Sequence, residues 1–145
     1  MVREYRASRT IDAPPTTVWA LLTDAESYDD WNDAVISITG PIRPGGTINL
    51  VSVVDPKRTF TLTVTQMREP SRMVWSDGMP LGLFRGERTY TVTDRGDGGS
   101  DFTMVEEFTG LLAGLITRAI PDMTESFTTF ADSLKTAAEA RADVR

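Results

Sequence analysis

The 145-residue chain contains no cysteine and no histidine. The first absence rules out a disulfide framework and a thiolate nucleophile. The second rules out Ser-His-Asp and Cys-His catalysis, and with them the commonest zinc sites. Long apolar runs are missing too: no stretch approaches the about 20 residues that a membrane helix needs. Positive charge is in deficit, with a net charge of −6 and a pI near 4.6. Nucleic acid, whose affinity comes mainly from neutralised phosphates, is therefore not an expected partner. The opening residues, MVREYRASRTID, lack the apolar core of a signal peptide. A cytoplasmic location is the expectation, and the lack of cysteine fits it. Chemistry is left to carboxylates, arginine, lysine, tyrosine, hydroxyls or a hydrophobic pocket, and no cofactor or metal is expected.

What is present is ordinary for a globular protein: 40% hydrophobic and 25% charged residues. The length predicts one domain over 1–145 with a substantial core. Residues 2–11 read as a strand leading into DAPPTTVWALLTD. An N-cap near Asp12 or Ala13, with Pro14 in the first turn, predicts a helix whose Val18, Leu21 and Leu22 share a face. A second short helix is expected over 25–31. Strands follow at 34–39, 47–54, 59–67, 72–77, 83–92 and 100–109. The fourth strand of the chain, TFTLTVTQM, alternates Phe60, Leu62 and Val64 with Thr61, Thr63 and Thr65, the period of a half-buried strand. The last two strands flank DRGDGGS, a hairpin signal. Residues 110–141 read as helical. Leu112, Leu115, Ile116, Ile120, Met123, Phe127, Phe130 and Leu134 recur at three- and four-residue steps, with a break expected near Ile120 because of Pro121. The order implies an α+β fold: an antiparallel meander with a long amphipathic C-terminal helix.

Two segments carry a resemblance. TIDAPPTTVWALLTDAESYDDWN resembles the N-terminal signature of the START/polyketide-cyclase (SRPBCC) superfamily, whose pattern runs I-x-A-P-x-x-V-W-x-x-L-x-D and then W-N-P. GERTYTVTDRGDGGSDFTMVEEFTGLLAGL resembles that superfamily's last hairpin and the start of its long helix. One departure stands out: Asp33 occupies the place of the usual proline after Trp-Asn. The resemblance implies a helix-grip fold, a curved antiparallel sheet of six to seven strands around the C-terminal helix, with two short helices after the first strand. It also implies a cavity between sheet and helix, the usual place for a ligand. Function is not implied by the fold, which hosts lipid carriers, cyclases, receptors and regulators.

The acidic stretch DDWND spans Asp29 to Asp33 and has the D-D-x-x-D spacing of a magnesium site for pyrophosphate. The chain is short and strand-rich and has no second metal motif. Trp31 is therefore read as a buried anchor of the second short helix, and Asp29, Asp30 and Asp33 as its solvated face.

If Val92 faces Phe102 across the last hairpin, Tyr90 stands opposite Met104, Arg88 opposite Glu106 and Gly86 opposite Phe108. Strand alternation puts all of these on one face, the inner one. Arg88 and Glu106 are then an ion pair in or beneath the cavity, either fixing register or serving a ligand's anionic or carbonyl group. Trp75 shares a strand face with Met73 and Asp77, as core or as cavity wall. Tyr90 is the one strand tyrosine expected inside. The expected ligand-facing set is Arg88, Glu106, Tyr90, Trp75, Met73, Phe60, Leu62, Phe84, Met104 and Phe127. SDGMPLGLFRGE reads as a loop and strand entry near the cavity mouth, with a gate as its functional reading, and LLAGLI (111–116) as core or cavity lining.

Three readings of function follow. The favoured one is a binding protein for a small hydrophobic molecule such as a lipid, polyketide or isoprenoid. The second is a cyclase- or aromatase-like enzyme using Arg88, Glu106 and Tyr90. The third is a regulator acting through protein contacts. A homodimer is compatible with all three.

Overall fold

The computed structural model describes residues 3–143; Val2, the expected start of the first strand, lies outside them. The first strand, β1 (Arg3–Ile11), leads into α1 (Pro15–Leu22), a 3₁₀ turn (Ala25–Ser27) and α2 (Tyr28–Trp31). Then come β2 (Val35–Thr39), β3 (Thr47–Ser52), β4 (Asp55–Arg68), β5 (Arg72–Met79), β6 (Phe84–Asp94) and β7 (Ser100–Thr109). The chain closes with α3 (Ala113–Thr117) and α4 (Thr124–Asp143). The strands form one seven-stranded sheet in the order β1-β7-β6-β5-β4-β3-β2, with every neighbouring pair antiparallel. Register shifts at Val35/Ser37, Leu50/Ser52 and Val64/Gln66 mark bulges, which bend strands and raise local twist. The sheet curls round α4, the helix-grip arrangement that the resemblance implies.

The α4 helix grips the sheet through Phe127, Phe130, Ala131, Leu134 and Ala138, all buried. Their three- and four-residue spacing keeps them on one stripe. Phe130 stacks on Tyr90 of β6 at 5.7 Å and meets Tyr28 of α2 edge-on at 6.1 Å. The core is thus one aromatic stack shared by sheet, long helix and short helix.

Several local expectations are corrected. The α1 N-cap is Pro14 and Pro15 opens the helix, so the helix starts later than Asp12 or Ala13 would place it; two consecutive prolines fix φ without needing a capping side chain. Trp31 is only half-buried. The buried anchor of α2 is Tyr28, whose hydroxyl donates to the Leu22 carbonyl at 2.6 Å. Trp31 lies against both Tyr28 and Phe130 and donates to Ser27 Oγ at 3.3 Å. The C-terminal helical run breaks between Thr117 and Thr124, around Pro121 as expected. Its first part serves the core only in part: Ala113 is buried and Ile116 packs against the core, but Leu111 and Leu115 are 85% and 65% exposed. In SDGMPLGLFRGE the strand entry falls where expected, with β6 beginning at Phe84, but the loop is shorter: β5 runs to Met79, leaving only a short turn over 80–83.

A cavity lined by a cross-strand polar row

The register of the last hairpin puts Arg88 opposite Glu106, Tyr90 opposite Met104 and Gly86 opposite Phe108. The neighbouring registers extend these pairs into rows. Trp75 stands opposite Arg88, and Tyr5 opposite Glu106. One row across β5, β6, β7 and β1 therefore reads Trp75, Arg88, Glu106, Tyr5. The next row toward the cavity mouth reads Asp77, Gly86, Phe108, Arg3.

The centre of the first row is an ion pair. Arg88 Nε donates to Glu106 Oε2 at 3.1 Å, with side chains only 7% and 13% exposed. Arg88 Nη1 donates to the Tyr90 hydroxyl at 3.5 Å, and the guanidinium lies 4.8 Å from the Phe127 ring centroid. Burial alone would pull the arginine pKa down, but Glu106 and the Tyr90 hydroxyl outweigh it and hold the pKa above its ordinary value. Burial pushes the Tyr90 hydroxyl up to about 12, although Arg88 opposes the shift. At neutral pH Arg88 is charged and Tyr90 is a neutral hydroxyl that accepts from it.

The row's two ends are polar and unpaired. Trp75 Nε1 and Tyr5 Oη are buried with no hydrogen-bond partner among the described residues. A buried group in that state costs about 1–3 kcal/mol, so each calls for a physical explanation. Tyr5 also corrects an expectation: Tyr90 is not the only strand tyrosine inside. The alternation of Tyr5 and Ala7 with exposed Glu4 and Arg6 on β1 carried that signal.

A cavity opens over these rows, lined by Leu50, Phe60, Leu62, Asp77, Phe84, Arg88, Glu106, Phe108, Ile120 and Met123. It is small: about 30 Å³ is open to the centre of a water molecule, room for a water or two. The core fills most of the space that a larger ligand would need. Of the residues expected to face a ligand, Arg88, Glu106, Phe60, Leu62 and Phe84 line this cavity. Met104 and Phe127 border a smaller space on the other side of Arg88. Met73, Trp75 and Tyr90 are fully buried behind the lining.

Asp77 is the cavity residue that sequence reasoning left out. Strand alternation puts it on the face it shares with Trp75 and Met73 and assigns it no role. Its carboxyl lies over Gly86, where an added Cβ would stand 2.7 Å from Asp77 Oδ1; the glycine makes room for the acid. Asp77 has no ion-pair partner among the described residues. Burial, together with the nearby Glu106 charge, pushes its pKa up to about 6 against the pull of Arg88. The signal available in the sequence was the pairing of an inner-face acid with a glycine on the next strand.

The mouth is formed by the β5–β6 turn and the segment between β7 and α4. Leu111 N donates to Gly82 O, and Leu112 N to Leu83 O. Gly110 sits at φ 113° with Leu83 O 2.7 Å from where a Cβ would lie, so this contact requires glycine. Met79, Leu81, Leu111 and Leu115 are exposed on these loops. At the opposite end, Asp29, Asp30 and Asp33 are exposed, and the described residues hold no metal-binding group of three or more acids. No helix among the described residues is long and apolar enough to cross a membrane.

A curled antiparallel sheet closed by one long helix, with a partly polar cavity between the sheet and the segment that leads into that helix, defines a helix-grip protein of the START/polyketide-cyclase (SRPBCC) superfamily. The chain belongs to the family described as polyketide cyclase/dehydrase and lipid transport, whose pattern it matches over residues 3–139. No curated protein sequence matches it significantly. Among solved structures it is similar to a protein of unknown function from Staphylococcus aureus (12% identity, 99% of this chain and 97% of that one, TM-score 0.70). It is also similar to norcoclaurine synthase from Thalictrum flavum (12% identity, 97% and 96%, TM-score 0.69). A third similar structure is the di-domain aromatase/cyclase BexL of the BE-7585A biosynthetic pathway (14% identity, 99% of this chain and 51% of that one, TM-score 0.64). At these identities the likeness concerns the fold.

Proposed function

We propose that the protein binds a small, mainly apolar molecule between sheet and α4, with its polar group seated on the Arg88–Glu106 pair. The observation that carries this reading is the row itself. A buried ion pair faces an apolar cavity, and the row it centres ends in Trp75 and Tyr5, whose Nε1 and Oη have no partner among the described residues. A row serving stability alone is expected to satisfy its own ends. Ligand pockets usually reach about 300–1,000 Å³, so a body larger than a few atoms requires the 118–123 segment, with Ile120 and Met123, to swing outward. The family's association with lipid transport and cyclisation agrees with an apolar ligand. A cytoplasmic location belongs to the same reading.

The test is native mass spectrometry of protein purified from its own host. Wild type is expected to carry a co-purifying small molecule. The double variant Arg88→Met/Glu106→Leu, which keeps an apolar core, is expected to fold and to lose that molecule. Retention of the molecule by the double variant would contradict the role given to the pair.

A cyclase-like enzyme is the second reading, and Asp77 is the observation that favours it. Glu106 is already committed to Arg88 at 3.1 Å. Asp77, with a pKa of about 6, can both give and accept a proton near neutral pH.

A further inference from the structure

The charges facing the cavity do not balance. Arg88 is its only cation, and Arg88 is already paired with Glu106. Asp77 is a second carboxyl with no ion-pair partner among the described residues, and only Glu106 Oε2 is occupied by the arginine. The ionised cavity therefore carries one net negative charge in surroundings that are otherwise apolar. An anionic head group, such as a free carboxylate, would meet two acids for one committed guanidinium. A neutral ligand would leave the Asp77 charge unanswered.

The apolar part of the lining points the same way. Phe60, Phe84 and Phe108 contribute three aromatic rings to the cavity, and Phe84 and Phe108 stack at 5.8 Å. Aromatic rings attract cations and do not attract anions. The Arg58 guanidinium already lies 5.7 Å from the Phe60 ring centroid, which leaves Phe84 and Phe108, beside the two carboxyls, as the rings open to an organic cation. The internal space, about 30 Å³ to a water centre, matches a head group of ammonium size. Apolar Leu50, Leu62, Ile120 and Met123 remain for the attached body. The sequence also leaves glycine at position 86, opposite Phe108, where any side chain would displace the acid.

We propose that the ligand is a protonated amine with an apolar body, its ammonium group held by Asp77 and Glu106 and bordered by Phe84 and Phe108. This rests on the small-molecule reading above and narrows it to a chemical class. In this arrangement Asp77 is the selecting residue and Arg88 holds Glu106 in place. The groups facing Asp77 are Glu106 from β7 and Arg88 from β6; the side chains reaching the cavity from the 118–123 segment, Ile120 and Met123, do not titrate. Amine binding should then weaken as pH falls through about 6, where Asp77 takes up a proton.

A matched set of probes tests the class: hexylamine, 1-hexanol and hexanoate, titrated by ligand-detected NMR at pH 7.5 and pH 5. Hexylamine is expected to bind wild type at least about tenfold more tightly than hexanol, the scale of one charge-assisted hydrogen bond. Hexanoate is expected to bind weakest. Asp77→Asn, which is nearly isosteric, should retain hexanol binding, bring the amine-to-alcohol ratio close to one, and remove most of the weakening between pH 7.5 and pH 5. If hexanol or hexanoate binds wild type as well as hexylamine does, the amine class is overturned and the small-molecule site stands. If none of the three binds, both readings are overturned.

Discussion

Replacing Arg88 with methionine removes one partner of a buried pair and leaves the other. Arg88 and Glu106 are joined at 3.1 Å with side chains 7% and 13% exposed, so solvent screens them little. Stranding the carboxylate should cost about 3–5 kcal/mol. For a chain of this size that lowers the melting temperature by about 10–20 °C. The loss includes the Arg88 contacts to the Tyr90 hydroxyl and the Phe127 ring, which methionine replaces only as apolar packing. The double variant Arg88→Met/Glu106→Leu leaves no stranded charge at this pair and should recover most of the loss. Urea denaturation of wild type, single and double variants at pH 7.5 measures these differences. A single-variant loss below about 1 kcal/mol, or a double variant no more stable than the single, would refute a buried, mutually dependent pair.

Asp77→Asn should stabilise the free protein at neutral pH. The difference between about 6 and the ordinary 3.8 corresponds to about 3 kcal/mol if fully expressed, and solvent contact at this partly exposed carboxyl reduces it to about 1–2 kcal/mol. Because the folded pKa is raised, the wild type loses that stability as pH climbs from about 4 to about 6. The gain from asparagine should therefore be absent below pH 4 and complete above pH 6, as followed by thermal melts across that range. Tyr28→Phe removes the buried bond to the Leu22 carbonyl and should cost about 1–2 kcal/mol in denaturant titrations; no loss would mean that packing alone anchors α2. Gly110→Ala should destabilise the contact between the β5–β6 turn and the 110–112 segment, read as faster amide exchange at Leu111 and Leu112, whose N–H groups bond Gly82 and Leu83.

The sheet was legible because its strands alternate strongly and its last turn is rich in glycine. Phe60, Leu62 and Val64 fall inward and the intervening threonines outward. The turn DRGDGGS set the register that pairs Arg88 with Glu106. Pro121 announced the break before α4. What escaped depended on contacts between distant segments. Leu115 keeps the spacing of the core face, yet α3 turns Ala113 and Thr117 inward and leaves Leu115 exposed. Tyr28, not the larger Trp31, anchors α2, because a hydroxyl donor was needed by the carbonyl at the end of α1. Asp77 looked like a strand-end acid. Only the packed sheet shows it over Gly86 and beside Glu106, where burial changes its ionisation. The four-strand row from Trp75 to Tyr5 crosses β1, β5, β6 and β7, so no single hairpin contains it. The size of the cavity was also beyond the sequence, because it depends on how closely Met123 and Phe127 approach the sheet.

The central claim is that a small molecule enters between the sheet and α4 above the Arg88–Glu106 pair. Methyl NMR of methionine-labelled protein, titrated with an organic extract of its own host, tests it most directly. Met123 lines the cavity, Met104 borders the space behind Arg88, and Met67 lies away from both. The expected result is saturable shifts of the Met123 and Met104 methyls with Met67 unchanged, and no such shifts in Arg88→Met/Glu106→Leu. Unchanged Met123 and Met104 resonances, or equal shifts in the double variant, would contradict the claim.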